Sequence, residues 1–119
     1  MKCRFAPSPT GKIHVGNVRS AILNWAYSSI NNGDFILRID DTDRQRSTKE
    51  NEDSIKKNLK WLGLNWNKSF NQSDRLDLYK KKIEKLKIDN KLYPCFETPE
   101  ELSLKKKSLL SSGKPPIYD

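Results

Sequence analysis

Cysteine and histidine are the scarcest chemistry in this chain. Two cysteines, Cys3 and Cys95, and a single histidine, His14, occur in 119 residues. Two cysteines do not make a disulfide framework, and Cys3, inside an apolar run, reads as a buried thiol. No Ser-His-Asp or Cys-His arrangement for covalent catalysis stands out in the sequence. No apolar stretch is long enough to span a membrane, and no signal-peptide pattern is present. The expected setting is therefore cytoplasmic and reducing, with no membrane partner. Apolar residues are few, 34% against 32% charged, and there is no internal repeat or low-complexity tract. Three Trp, four Tyr and four Phe still supply a modest core, which predicts a globular chain rather than a disordered one.

Negative charge is also in short supply. Fifteen Asp and Glu face 23 Lys and Arg, a net charge of +8. That balance favours polyanionic partners, nucleic acid first, through counterion release. A merely solvated basic surface has the same composition, so charge alone leaves both readings open.

What is present is pattern. Residues 2–6 read as a short strand that Pro7 ends. Val18, Ile22, Trp25, Ala26 and Ile30 recur near helical spacing, with Asn17 as N-cap and Asn32-Gly33 as the stop. Phe35-Ile36-Leu37-Arg38-Ile39 follows as a second strand, apolar enough for a sheet interior. Strand, helix, strand with short connections is a βαβ unit, so the fold class is α/β with parallel strands. After Asp40-Asp41-Thr42-Asp43, Ser47 with Glu50 fits a capping box for a second helix. Ile55, Leu59 and Leu62 line one face of it, and Gly63 stops it. Residues 64–72 read as loop. A third helix is expected from about Asp74 to Ile88, with Leu76, Tyr79, Ile83 and Leu86 inward and lysines outward. Leu92-Tyr93 reads as a short strand. Thr98-Pro99-Glu100-Glu101 starts a last helix, Gly113 ends it, and residues 114–119 trail off extended. A composition shift near Leu92 divides the chain into 1–91 and 92–119.

RFAPSPTGKIHVGN, residues 4–17, is the densest stretch. A strand, a Pro- and Gly-containing turn and a helix N-terminus is where α/β proteins bind phosphate, because free backbone N–H groups and the helix dipole both favour anions. Gly11 gives the turn freedom, Gly16 allows close backbone approach, and His14 can donate to a phosphoryl oxygen. Neither G-x-G-x-x-G nor G-x-x-x-x-G-K-[ST] is present. On physics alone, a rigid turn with a surface histidine stays open as the alternative.

F-A-P-S-P-T-G-x-x-H-V-G-N resembles the first signature of the class I aminoacyl-tRNA synthetases in its glutamyl form. Leu37-Arg38-Ile39-Asp40-Asp41-Thr42-Asp43 is similar to the family's R-I-[ED]-D-T-D segment. Trp61-Leu62-Gly63-Leu64, Gln72-Ser73-Asp74-Arg75 and Cys95-Phe96-Glu97-Thr98-Pro99-Glu100-Glu101-Leu102 also resemble glutamyl-tRNA synthetase. The resemblance implies the first half of a Rossmann-type nucleotide-binding fold with flanking helices over 1–91, and the start of an acceptor-binding insertion over 92–119. It implies that glutamate and Mg-ATP form glutamyl adenylate, and that the glutamyl group passes to the 3′ end of tRNA. His14 is then the catalytic residue, and Thr10, His14, Gly16 and Asn17 form the ATP site. Arg4, Ser8 and Asp40 hold glutamate, the guanidinium of Arg4 suiting the side-chain carboxylate and Asp40 taking the ammonium. Asp43 and Arg46 are candidate tRNA contacts. For Asp40 to Asp43, a solvated acidic turn or a magnesium site is the competing reading.

Departures from the family bear on details. Asn17 stands where the class has a second histidine, and Asp40 is shorter than the usual Glu. Glutaminyl enzymes share the pattern, so the tRNA accepts glutamate or glutamine. Some relatives begin a zinc site with C-x-C where this chain has Cys95-Phe96-Glu97, so no protein-bound metal is expected and magnesium arrives with ATP. The second class signature, K-M-S-K-S, has no counterpart: Lys105-Lys106-Lys107-Ser108 is the nearest string and falls in an expected helix. These residues alone are therefore expected not to complete the reaction. A truncated, non-catalytic paralogue that grips tRNA through Lys80, Lys81, Lys82, Lys85, Lys87 and Lys91 is the alternative. A short relative that glutamylates a modified tRNA base is a third reading, disfavoured by the full Asp41-Thr42-Asp43.

Overall fold

The computed structural model describes residues 1–117; Tyr118 and Asp119, within the stretch expected to trail off extended, lie outside the described residues. Strand β1 (Lys2–Phe5) leads through the Pro- and Gly-containing loop into α1 (Val15–Ile30). The helix starts three residues before the expected Val18, and its N-cap is His14 rather than Asn17. Periodicity hides this first turn because Val15 is 84% exposed. Asn32, at φ 49°, turns the chain out of the helix, and Gly33 N–H closes on Ser28 O at 2.8 Å. Gly33 is required by contact as well, since a Cβ there would sit 2.7 Å from the Met1 carbonyl oxygen.

Strand β2 (Asp34–Ile39) pairs in parallel with β1, from Lys2 opposite Asp34 to Phe5 opposite Leu37. Helix α2 (Lys49–Trp61) starts one residue later than Ser47 predicts. Thr48 is its cap, and its Oγ1 accepts from Asn51 N–H at 3.2 Å. Ile55 and Leu59 are fully buried, whereas Leu62, expected on the same face, caps the helix C-terminus and is 37% exposed. The stretch read as loop contains a third strand, β3 (Lys68–Asn71), parallel to β2. Its sequence, Lys-Ser-Phe-Asn, has neither β-branched residues nor an apolar alternation, and β2 alone gives it a ladder.

The order is β1-β2-β3, all parallel, the expected first half of a Rossmann-type sheet. Right-handed crossovers that step in one direction put α1 and α2 on the same face. The alternation in β2 follows from this. Phe35, Leu37 and Ile39 are buried in one cluster with Phe5, Ala21, Ile55, Leu59 and Leu64. Asp34, Ile36 and Arg38 point to the other face and stay half-exposed. Cys3, expected to be buried, is only half-buried on the edge strand β1.

The chain forms two compact units, residues 1–80 and 81–119, whose boundary falls inside α3 (Leu76–Ile88). Where a helix start was expected at Asp74, residues Ser73–Arg75 make one 3-10 turn first. Of the residues expected to face inward on α3, Leu76, Ile83 and Leu86 are about two-fifths exposed. In the second unit the expected strand at Leu92-Tyr93 does not form: residues 91–98 have no regular structure. Helix α4 (Pro99–Ser111) is capped as its sequence predicts. Thr98 Oγ1 accepts from Glu101 N–H at 3.2 Å, and Glu101 Oε2 accepts from Thr98 N–H at 2.7 Å.

Candidate active site

The loop between β1 and α1 builds the site. Its geometry is set by His14, whose backbone is extended (φ −122°) and whose imidazole folds onto the helix it caps. Gly16 N–H donates to His14 Nδ1 at 3.1 Å, and His14 N–H donates to Asn17 Oδ1 at 3.3 Å. This reciprocal pair satisfies two donors at the start of α1, a service usually performed by Ser, Thr or Asp. It also fixes the ring chemically. A nitrogen that accepts a hydrogen bond carries no proton, so the neutral ring keeps its proton on Nε2, the edge away from the backbone. Gly16 makes the arrangement possible, because a Cβ there would lie 2.9 Å from His14 Cε1 and 3.0 Å from Nδ1.

Around this cap lies a cleft of about 380 Å³ lined by Ser8, Thr10, His14 and Asn17 together with Pro7 and Lys12. Four of the residues expected to hold substrate therefore share one cavity. Arg4 and Asp40 do not line it. Arg4 is exposed near the carboxyl end of β1, and Asp40 follows directly on β2. These are the strand ends where open parallel sheets bind ligands. Asp40 N–H donates to Pro7 O at 2.9 Å, which ties the acidic turn to the loop carrying Ser8. Its carboxylate accepts two bonds from Arg38, at 2.5 and 2.9 Å. The bond to Asp40 raises the Arg38 guanidinium above its ordinary value, outweighing its partial burial. Asp43 and Arg46 lie outside the cleft and pair with each other, Arg46 Nε to Asp43 Oδ2 at 2.6 Å. Arg46 thereby holds the Asp43 carboxyl below the usual carboxylate range.

Behind the acidic turn stands a polar cluster that the sequence pattern does not reveal. Asp41 Oδ1 accepts from Ser73 N–H at 2.9 Å, and Oδ2 accepts from Ser73 Oγ at 2.6 Å and Asn71 Nδ2 at 3.2 Å. The same Asn71 amide donates to Glu52 Oε2 at 3.1 Å. Glu52 is only 6% exposed and also pairs with Lys56 and Lys49. The bonds that join Asp41 and Glu52 to Asn71 and Ser73 span 19 to 32 residues, so no local spacing marks them.

Burial pushes both Asp41 and Glu52 up, but the donors around them outweigh it and leave both below their ordinary values of 3.8 and 4.5. A carboxylate depressed in the folded state adds stability above its unfolded value and loses it as pH falls through the folded one. Thermal unfolding is therefore expected to be flat in pH above about 5 and to weaken below about 4. An Asp41→Asn variant should melt lower at neutral pH and show a shallower acid loss. Parallel pH curves for the two proteins would refute the assignment.

The chain is similar to known proteins over nearly its whole length. The family described as class I tRNA synthetases (E and Q), catalytic domain, matches residues 1–118. A glutamate–tRNA ligase 1 of Rickettsia felis is 59% identical over 117 residues, covering 98% of this chain and 26% of that protein. A glutamate–tRNA ligase 2 of Cereibacter sphaeroides is 56% identical over 116 residues, with the same coverage of 98% and 26%. The structure of a glutamate–tRNA synthetase from Elizabethkingia anophelis superposes with a TM-score of 0.84 at 36% identity, over 96% of this chain and 25% of that one. A glutamate–tRNA ligase of Elizabethkingia meningosepticum, solved in complex with its amino acid, gives 0.82 at 36% identity, over 96% and 24%. The chain thus spans about a quarter of the length of these relatives. The family match spans the loop, the cap and the acidic turn alike, and on it the chain belongs to the class I tRNA synthetases of the E and Q group, as part of their catalytic domain.

Proposed function

We propose that this chain is the nucleotide-binding part of a glutamate–tRNA ligase. Glutamate's α-carboxylate attacks the α-phosphate of Mg-ATP, giving glutamyl adenylate and pyrophosphate, and the 3′ end of tRNA then takes the glutamyl group. The observation that carries this reading is the His14-capped cleft, where Ser8, Thr10, His14 and Asn17 converge at the start of α1. The relatives' names supply the substrate class.

In this reading Thr10, His14, Gly16 and Asn17 bind ATP, and His14 Nε2 donates to a phosphoryl oxygen as negative charge builds there. Arg4, with no ion-pair partner among the described residues, receives the side-chain carboxylate of glutamate. Ser8 supplies a hydroxyl and Asp40 the acceptor for the ammonium. Amino acid and tRNA are the nucleophiles, so positioning and charge stabilisation suffice without an enzymic nucleophile. Asp43 and Arg46 contact tRNA, and the acceptor-binding insertion begins near Leu92. Magnesium enters with ATP. Cys95-Phe96-Glu97 offers one thiolate where a C-x-C motif offers two, so we assign no zinc. The discriminator is charge: a guanidinium at Arg4 favours glutamate over glutamine as the amino acid, while glutamine-accepting tRNA remains a substrate option beside the glutamate-accepting one. The site of action is the cytoplasm.

The full-length product of the gene should catalyse glutamate-dependent ATP–pyrophosphate exchange with tRNA present, and glutamine should not replace glutamate. Exchange driven by glutamine alone, or none at all, would overturn the reading.

A further inference from the structure

The cluster behind the acidic turn has no role in the chemistry just described, yet it holds the residue next to Asp40. Asp41 is gripped from outside its own segment at three points: Ser73 N–H, Ser73 Oγ and Asn71 Nδ2. The donors lie at the end of β3 and in the 3-10 turn that follows. The backbone bond from Gln72 N–H to Ile39 O, 2.9 Å, closes the same junction from the main chain. Asn71 is the node. Its amide spends one N–H on Asp41 and the other on Glu52 of α2, so three segments meet at one side chain. On the opposite side, Asp40 N–H is tied to Pro7 O. The acidic turn is clamped from both flanks, while the carboxylate of Asp40 is held by the Arg38 side chain.

We propose that Asn71 and Ser73 are positioning residues for the amino-acid substrate. Acting through Asp41, they fix the turn so that the Asp40 carboxylate stands where the substrate ammonium must sit. This rests on the ligase reading above and on the place given there to Asp40. The physical argument is one of register. Asp40 and Asp41 are adjacent, so a rotation of the peptide between them moves the Asp40 side chain at once, whereas the cap that holds His14 is built within residues 14–17. Loosening the cluster should therefore degrade amino-acid recognition and spare nucleotide recognition.

Replacing Asn71 by Ala leaves Asp41 and Glu52 facing each other without the shared donor, while Ser73→Ala removes a single hydroxyl and keeps the backbone bond. In the full-length product, ATP–pyrophosphate exchange should show KM for glutamate raised about tenfold in Asn71→Ala and severalfold in Ser73→Ala. KM for ATP should stay within about twofold. Ser73→Thr, which retains the hydroxyl, should restore the glutamate KM. Equal rises in both KM values, an unchanged glutamate KM, or failure of Ser73→Thr to recover would each overturn the proposal. If Asn71→Ala does not fold, the Ser73 pair decides alone. Wild-type protein without glutamate-dependent exchange would instead overturn the ligase reading itself.

Discussion

Replacing His14 by Ala is expected to slow adenylate formation by roughly 100- to 1,000-fold with little change in KM for ATP. The imidazole has two tasks at once, and substitutions can separate them. His14 Nδ1 caps α1 through Gly16 N–H, and loss of such a cap costs about 1 kcal/mol of stability. Nε2 carries the proton that the proposed function gives to a phosphoryl oxygen. His14→Asn keeps a good N-cap residue, but its shorter amide places its N–H donors short of the Nε2 position. It should melt close to the wild type yet lose nearly as much rate as the alanine variant. Steady-state exchange kinetics beside thermal unfolding read both quantities. An asparagine variant with wild-type turnover would show that capping is all the histidine contributes.

The second large effect comes from the smallest side chain. Gly16→Ala places a methyl group 2.9 Å from His14 Cε1 and 3.0 Å from Nδ1. The ring is the mobile partner and must swing away, giving up its bond to the Gly16 amide. Alanine gains about 1 kcal/mol over glycine in a helix, and the lost cap costs about as much, so stability should change little. On the proposed reading turnover should nonetheless fall 10- to 100-fold, because a displaced Nε2 would no longer meet the charge assigned to it. A crystal structure of the variant with the ring still seated, or full activity, would contradict this account. The expectation from sequence was that Gly16 leaves room for a nucleotide. In the structure the contact that forbids a Cβ at Gly16 is the ring of His14, two positions earlier.

That shift shows where sequence reasoning reaches and where it stops. Phe35-Ile36-Leu37-Arg38-Ile39 after Asn32-Gly33 could be read as a buried central strand because pattern and punctuation agree there. The start of α4 was equally legible, since Thr98, Pro99 and Glu101 each do a local job. Helix α1 starts earlier than its periodicity predicts because its first turn faces solvent and its cap is a histidine, a residue that capping preferences rank poorly. Strand β3 was invisible because Lys-Ser-Phe-Asn acquires strand geometry only by pairing with β2. On α2 the cap expected at Ser47 falls one residue later, at Thr48. The Ser47 hydroxyl is instead buried without a hydrogen-bond partner among the described residues. The Asp41, Glu52, Asn71 and Ser73 cluster has no local signature at all, since its bonds join segments that only the parallel sheet brings together. Residues of the candidate site were named from family resemblance, and the fold gathers four of them at one cleft while leaving Arg4 and Asp40 at strand ends.

The capping bond of His14 has a consequence for how the helix responds to what the cleft contains. Imidazole is a small conjugated ring, and hydrogen bonds on its two nitrogens polarise one another. An anion that accepts from Nε2 draws that proton outward and leaves more electron density on Nδ1. The Gly16 amide, bonded to Nδ1 at 3.1 Å, then meets a stronger acceptor. On the proposed reading, in which a phosphoryl oxygen accepts from Nε2, occupancy on one edge of the ring would be felt at the backbone on the other, and α1 would be held more firmly with the cleft filled.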